Sequence, residues 1–301
     1  NMETKQLEII EFTDPVCTWC WGSEPVLRTL EARYTDKIKI GFIMGGLVKD
    51  ITAFYDSHNE IGGDPELSNQ SIAAHWLEAS ERHGMPVKVE GFKLFTKDQP
   101  STYPQNMAYK AAQMQDDVKA DRFLRRMREA SAAEALQTNL TEVLVELASE
   151  VGLDIGRFLE DFTGGKAKTA FEEDLYTTAQ FRAHGFPTFL VKYGEKSMLL
   201  RGYQNYNTFK TVINQLTNGE IQEVKLQPTE ENVLNFINKH DSLAPVEIKM
   251  PFDLSDAELD KIINSLQKKK LVAKREAGNG YFIFPLNNPM MCDVDSGMCG
   301  I

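Results

Sequence analysis

The stretch Leu7-Glu-Ile-Ile-Glu11-Phe12-Thr-Asp14-Pro15-Val-Cys17-Thr-Trp19-Cys20-Trp21 decides how the chain is read. Leu7 to Phe12 is an apolar, β-branched run, the pattern of a buried strand. Asp14-Pro15 ends it, and Cys17 and Cys20 follow one helical turn apart. From Glu24 to Arg33 the pattern is helical, with Val26, Leu27 and Leu30 on one face. Cys17 is therefore expected where a strand hands over to a helix, among unpaired N–H groups and a dipole that favour negative charge. A thiolate is such a charge, which makes Cys17 the expected nucleophile toward a disulfide. Cys20, one turn on, is expected to close the ring or break a mixed disulfide. The competing uses are half a zinc site and two structural thiols. A zinc site needs about four ligands, and the other cysteines, Cys292 and Cys299, lie at the far end of the chain. Cys-x-x-Cys beside a βαβ-like pattern favours redox chemistry.

A second feature lies far downstream. His184-Gly-Phe186-Pro187-Thr-Phe-Leu-Val191 sets a proline just before an apolar strand. Together these motifs resemble the thioredoxin-fold superfamily, specifically the DsbA family of dithiol–disulfide oxidoreductases and its FrnE-like subgroup. The resemblance extends through His75-Trp-Leu-Glu-Ala-Ser-Glu-Arg-His83, Ser101-Thr-Tyr-Pro104 and Glu150-Val-Gly-Leu-Asp154, and covers roughly residues 1–215. It implies an α/β, thioredoxin-like fold with a large helical insertion. It also implies that Pro187 is cis, abuts the cysteines and, with Phe186, helps bind extended substrate. A cis X-Pro bond is uncommon and marks a position the structure requires.

Three residues near the first motif carry further expectations. By strand period Glu11 points into the core, where a carboxylate is expensive without a purpose. The resemblance gives it one, moving protons to and from Cys20; the plain alternative is a strand-end glutamate reaching solvent. Trp19 is a candidate apolar lip for substrate, and Trp21 reads as core. The dipeptide between the cysteines is Thr-Trp, without the histidine of strongly oxidising relatives, so a more reducing pair is expected.

Composition bounds the rest. The chain has 301 residues, 42% hydrophobic and 26% charged, which is ordinary for a globular protein. A net charge of -11 disfavours broad nucleic-acid binding. Four cysteines do not make a disulfide scaffold. Asn1 before Met2 reads as a cloning remnant, and no apolar signal-peptide region precedes the first strand. No apolar run approaches the ~20 residues needed to span a membrane. The expected location is the cytoplasm, where thiols stay mostly reduced.

Along the chain, residues 1–64 read as the first half of a thioredoxin core, with a second, parallel strand from Lys37 to Met44. Residues 65–182 read as the helical insertion and 183–220 as the second half, with an antiparallel pair turning at Gly194-Glu195 and a closing helix. Residues 228–287 read as a C-terminal, winged-helix-like α+β module. There, Ser255-Asp-Ala-Glu258 is a capping box, and a hairpin turns at Gly278-Asn-Gly280. The basic cluster Lys268, Lys269, Lys270, Lys274 and Arg275 is offset by acidic residues, so DNA binding is not expected; dimerisation, as a homodimer, or partner docking is. Residues 288–301 form a tail whose Cys292 and Cys299 are a candidate second redox pair. A lid formed by this module and tail over the Cys17 site is expected. The five histidines give no metal constellation, and neither metal nor cofactor is expected.

The function these readings support is a dithiol–disulfide oxidoreductase or isomerase. Its expected partners are protein or peptide disulfides, glutathione, or a thioredoxin-type reductant. The alternatives are a thioredoxin-fold protease adaptor or redox-sensing binding protein, and a glutathione-dependent isomerase of the same architecture. The last usually carries serine where Cys17 stands.

Overall fold

The computed structural model describes residues 5–286, so the tail cysteines Cys292 and Cys299 lie outside the described residues. Strand β1 (Leu7–Thr13) leads through a short helix α1 (Thr18–Trp21) into α2 (Glu24–Tyr34) and β2 (Ile38–Met44). β1 and β2 are parallel, joined by the helical crossover that parallel neighbours require. Six helices follow: α3 (Pro65–His83), α4 (Tyr103–Gln113), α5 (Asp117–Ala132), α6 (Thr141–Glu150), α7 (Ile155–Thr163) and α8 (Lys166–Gln180). The chain then returns as β3 (Thr188–Tyr193) and β4 (Lys196–Arg201) before α9 (Tyr206–Thr217). The sheet order is β2-β1-β3-β4, with β3 antiparallel to both β1 and β4.

Alternation along β1 sorts its side chains. Leu7 and Ile9 pack with Val26, Leu30, Phe209 and Ile213 of α2 and α9, while Phe12 faces Ala183 and Leu190 on the other side. Glu11 shares the parity of Leu7 and Ile9 and is fully buried. Its register partners are Phe42 and Phe189, so it sits in the middle of the sheet rather than at an edge. The insertion has its own core of Tyr109, Phe123, Leu124, Met127, Leu147, Phe158 and Phe171, which Met44 of β2 joins. Local signals start and stop its helices: Asp64, Asp116 and Asp154 cap α3, α5 and α7 by accepting from backbone N–H groups.

The C-terminal part comprises α10 (Glu230–Lys239), α11 (Pro245–Phe252), α12 (Asp256–Lys268) and the hairpin β5 (Val272–Ala277) with β6 (Gly280–Pro285). Three helices and a hairpin is the expected order, and Ser255 with Glu258 forms the capping box. The module is packed against the rest of the chain. Arg33 of α2 donates to the Met250 and Pro251 carbonyls at 3.0–3.1 Å. At the hairpin tip Asn279 exchanges bonds with the Val87 backbone. Gly278 has φ +55°, and a Cβ there would fall 2.1 Å from the Val87 carbonyl oxygen, so only glycine lets the tip approach this closely.

Candidate active site

Cys17 is the N-cap of α1. Its Sγ accepts from the Cys20 backbone N–H at 3.3 Å, which is how a four-residue helix with a side-chain cap satisfies an otherwise orphaned donor. The same Sγ lies 3.3 Å from the Phe186 carbonyl oxygen, to which the thiol donates. The Phe186–Pro187 peptide is cis, and Pro187 is buried. Residues 169 apart in sequence thus meet at one sulfur. Gly45, at the end of β2, makes the close approach feasible: a Cβ there would sit 2.2 Å from the Phe186 ring.

The two thiols are free and differ in setting. Cys17 retains 7% exposure and Cys20 none. Burial, reinforced by Cys17 and by the charge of Glu11, pushes the Cys20 thiol well up, with Arg128 pulling the other way. Cys17 opens onto a cleft of about 440 Å³. Val16, Phe54, Ile72, Trp76, Phe95 and Phe186 give it an apolar floor, and His58, His75 and Arg82 give it a polar margin. Trp19 lies on that margin, its ring held edge-on to His83 at 5.6 Å, against Tyr203 at 5.4 Å and under the Arg82 guanidinium at 5.2 Å. Trp21 is core: its Nε1 donates to the Pro86 carbonyl at 2.9 Å and its ring meets Phe282 of the module.

Glu11 does not reach solvent. Its Oε1 accepts from Arg128 Nη2 at 2.8 Å, while Oε2 has no hydrogen-bond partner. Burial raises its pKa despite the Arg128 charge. Arg128 also donates to Thr13 at 2.7 Å and to Glu24 at 2.8 Å. Burial alone would raise Glu24 too, but Arg128, Arg125 and Arg28 bring it down to about 2.

Sequence reasoning missed Arg128, Glu24 and Asp14. Asp14, read only as a strand-breaker, is fully buried. It accepts from the N–H groups of Val16 and Leu47, from Thr102 Oγ1 and from Asn106 Nδ2, all at 2.7–2.9 Å. It thereby ties the cysteine loop to the end of β2 and to the start of α4. The expected lid is corrected as well. Among the described residues the C-terminal module contributes nothing to the cleft lining; it packs behind the motif, on Trp21, because Phe282 and Ala244 complete the apolar cluster there. No group of three or more potential metal ligands occurs among the described residues, and none of their helices is long and apolar enough to cross a membrane.

Comparison with known proteins agrees with this geometry. The chain is 28% identical over 275 residues to the ClpXP adapter protein SpxH of Halalkalibacterium halodurans, covering 90% of this chain and 85% of that one. It is 28% identical over 283 residues to the Bacillus subtilis protein of the same name, covering 92% and 89%. Among solved structures, the cytosolic disulfide reductase DsbM from Pseudomonas aeruginosa superposes with a TM-score of 0.53 at 20% identity, covering 70% of this chain and 98% of that one. The family model described as Thioredoxin matches residues 11–211, from the buried Glu11 through both cysteines and the cis proline to the closing helix. Carrying that match over two-thirds of its length, the chain belongs to the thioredoxin family.

Proposed function

We propose that this chain is an adaptor that hands a protein client to a ClpXP-type protease, with Cys17 and Cys20 as a thiol–disulfide centre at the client-binding cleft. One observation carries the reading: how far each likeness extends. The disulfide reductase fold accounts for 70% of the chain. The likeness to chains named ClpXP adapter protein covers 90% or more, leaving out fewer residues than the C-terminal module holds. An enzyme acting only through the cysteines has no need of that module, whereas an adaptor needs a second surface for a second partner. Purified full-length protein is expected to bind ClpX saturably. A proteolytically inactive ClpP trap should retain a set of proteins only when this chain is present. Absence of ClpX binding together with an unchanged trapped set would overturn the reading.

A second activity, disulfide exchange, is favoured by the free thiols and by the cap geometry at Cys17. Cys17 would attack, Cys20 resolve, Glu11 relay the proton, and Phe186, Pro187 and Trp19 hold an extended client segment. Reduction of insulin or of a glutathione-mixed peptide, lost in Cys17→Ser, is the test. Equal rates in the variant would leave the cysteines without this role.

A further inference from the structure

Cys20 and the C-terminal module are connected by a buried line of alternating charge. At the module end, Glu247 in the first turn of α11 is fully buried. It receives both prongs of the Arg125 guanidinium, Nη1 and Nη2, at 2.7 Å each. Arg125 Nη1 lies 3.5 Å from Glu24 Oε2. Glu24 Oε1 accepts from Arg128 Nη1 at 2.8 Å, and Arg128 Nη2 donates to Glu11 Oε1 at 2.8 Å. Glu11 and Arg128 are the ionic groups whose charges act on the Cys20 thiol. The Arg125 guanidinium also lies 4.9 Å from the ring of Trp21, the residue after Cys20, and 5.9 Å from that of Phe282 in the module.

A bidentate Arg–carboxylate pair fixes geometry as well as charge, and in a dry interior such links act at strength. Arg125 is held by Glu247 through both Nη atoms, by Glu129 through Nε at 2.8 Å and by the Ser242 carbonyl at 3.2 Å, and Glu24 lies between it and Arg128. We propose that Arg125 and Glu247 are positioning residues for the Cys17–Cys20 pair, so that the docked module regulates how readily the pair is oxidised. The inference rests on reading the pair as a thiol–disulfide centre. Oxidation by a partner disulfide RSSR forms the Cys17–Cys20 bond and cleaves the S–S bond of RSSR. Two electrons and the two thiol protons pass to the leaving groups, giving two RSH. Of the two redox forms only the reduced one can carry a thiolate, so a more positive field at the site favours the reduced form. Neutralising Glu247 frees Arg125 to draw on Glu24. That loosens Glu24 from Arg128 and leaves the Arg128 charge less compensated beside Cys20. Linkage then runs both ways: what shifts the module shifts the pair, and oxidation of the pair shifts the module.

Glu247→Gln is the informative variant, because a glutamine oxygen can still accept from the Ala244 N–H that Glu247 caps at 2.9 Å. Titrated against glutathione, its oxidation constant should fall about 5-fold, a rise of about 20 mV for a two-electron couple. Lys261→Ala, a charge change on the exposed face of the same module, should match the wild type. A folded Glu247→Gln protein indistinguishable from both would overturn the proposal. Should that variant fail to fold, hydrogen exchange on the wild-type protein decides. Protection over Pro245–Phe252 and Val272–Pro285 should differ between the oxidised and reduced forms, and identical protection sinks the coupling. A wild-type pair that never forms a disulfide with glutathione removes the thiol–disulfide reading itself, and this inference with it, while leaving ClpX binding to be judged on its own assay.

Discussion

Arg128→Met tests whether the buried charges beneath Cys20 hold the fold together as the geometry implies. Arg128 is 1% exposed and serves Glu11, Thr13 and Glu24 at once. Glu24 is held from 4.5 down to about 2. At about 1.4 kcal/mol per pH unit, that is roughly 3 kcal/mol of stability at neutral pH. Removing one partner of a buried pair independently predicts a loss of about 3–5 kcal/mol, because the remaining charge is stranded. The first figure is the net of burial against Arg128, Arg125 and Arg28, with Arg128 the largest of the three, and it is of the same order as the second. The pH dependence has a definite sign. Glu24, depressed in the fold, contributes stability that is present above about 4.5 and lost as pH falls toward 2. Glu11, raised in the fold, contributes stability below its unfolded value that is lost as pH rises. In the variant Glu24 loses its depressing partner and Glu11 rises further, so both penalties are greatest at neutral pH and are relieved by protonation. Urea unfolding of the two proteins from pH 7 to pH 4 should therefore show a gap of about 3–5 kcal/mol that narrows with acid. A gap below about 1 kcal/mol at pH 7, the size of an exposed pair, or one that widens on acidification, would refute the reasoning.

Three further outcomes follow from the site. Cys17, 7% exposed against 0% for Cys20, should be alkylated first by iodoacetamide at neutral pH; mass spectrometry finding equal or reversed rates contradicts the assignment. Asp14→Ala orphans the buried N–H groups of Val16 and Leu47 and should cost about 3 kcal/mol, read by denaturant midpoint, with a loss under about 1 kcal/mol counting against its anchoring role. Burial lowers His83 from 6.5 to about 4, and its Nδ1 accepts from the Met85 N–H, so stability is complete above pH 6.5 and declines as pH falls toward 4. His83→Gln should flatten that part of the acid limb, and an unchanged limb would exclude His83 as its source.

The sheet and the cysteine loop were legible because their signals are local. Period-two alternation put Glu11 inside, and the strand-to-helix spacing set Cys17 at a cap. The ion network was not, because its members are scattered over four elements. Arg125 and Arg128 sit in the charged run Asp117-Val-Lys-Ala-Asp-Arg-Phe-Leu-Arg-Arg-Met-Arg-Glu129, which reads as a solvated helix face. The missed signal is that Arg128 follows Leu124 by four and Arg125 by three, so it shares the side of α5 that faces inward. Nothing nearby in sequence says that Glu11, 117 residues earlier, waits there. Asp14 stayed hidden for a related reason: Asp-Pro is an ordinary turn, and only the fold brings Leu47, Thr102 and Asn106 to its oxygens. The module docking was misjudged because chain length limits reach without fixing direction. Trp21, Ala244 and Phe282 decide the direction by burying apolar area together.

The pairing within the ion network says where it is weakest. Its buried acids are Glu11, Glu24, Glu129 and Glu247, and its buried arginines are Arg125 and Arg128, with Arg28 at the margin 3.6 Å from Glu247. Arg126 joins them from the same margin, 3.8 Å from Glu129, so four acids meet four cations. An unpaired buried charge is avoided by taking up a proton rather than by being borne. Glu24 has three cations around it and is driven to stay ionised. Glu247 and Glu129 each hold Arg125 directly, at 2.7 and 2.8 Å. Glu11 has one guanidinium contact, one oxygen without a partner, and a pKa that burial raises. Glu11 is therefore the acid its neighbours compensate least, at the end of the line beside Cys20. A change at the module end should therefore be felt at the sulfur end through Glu11 and Arg128, which a salt-bridge cluster isolated from the thiols would not do.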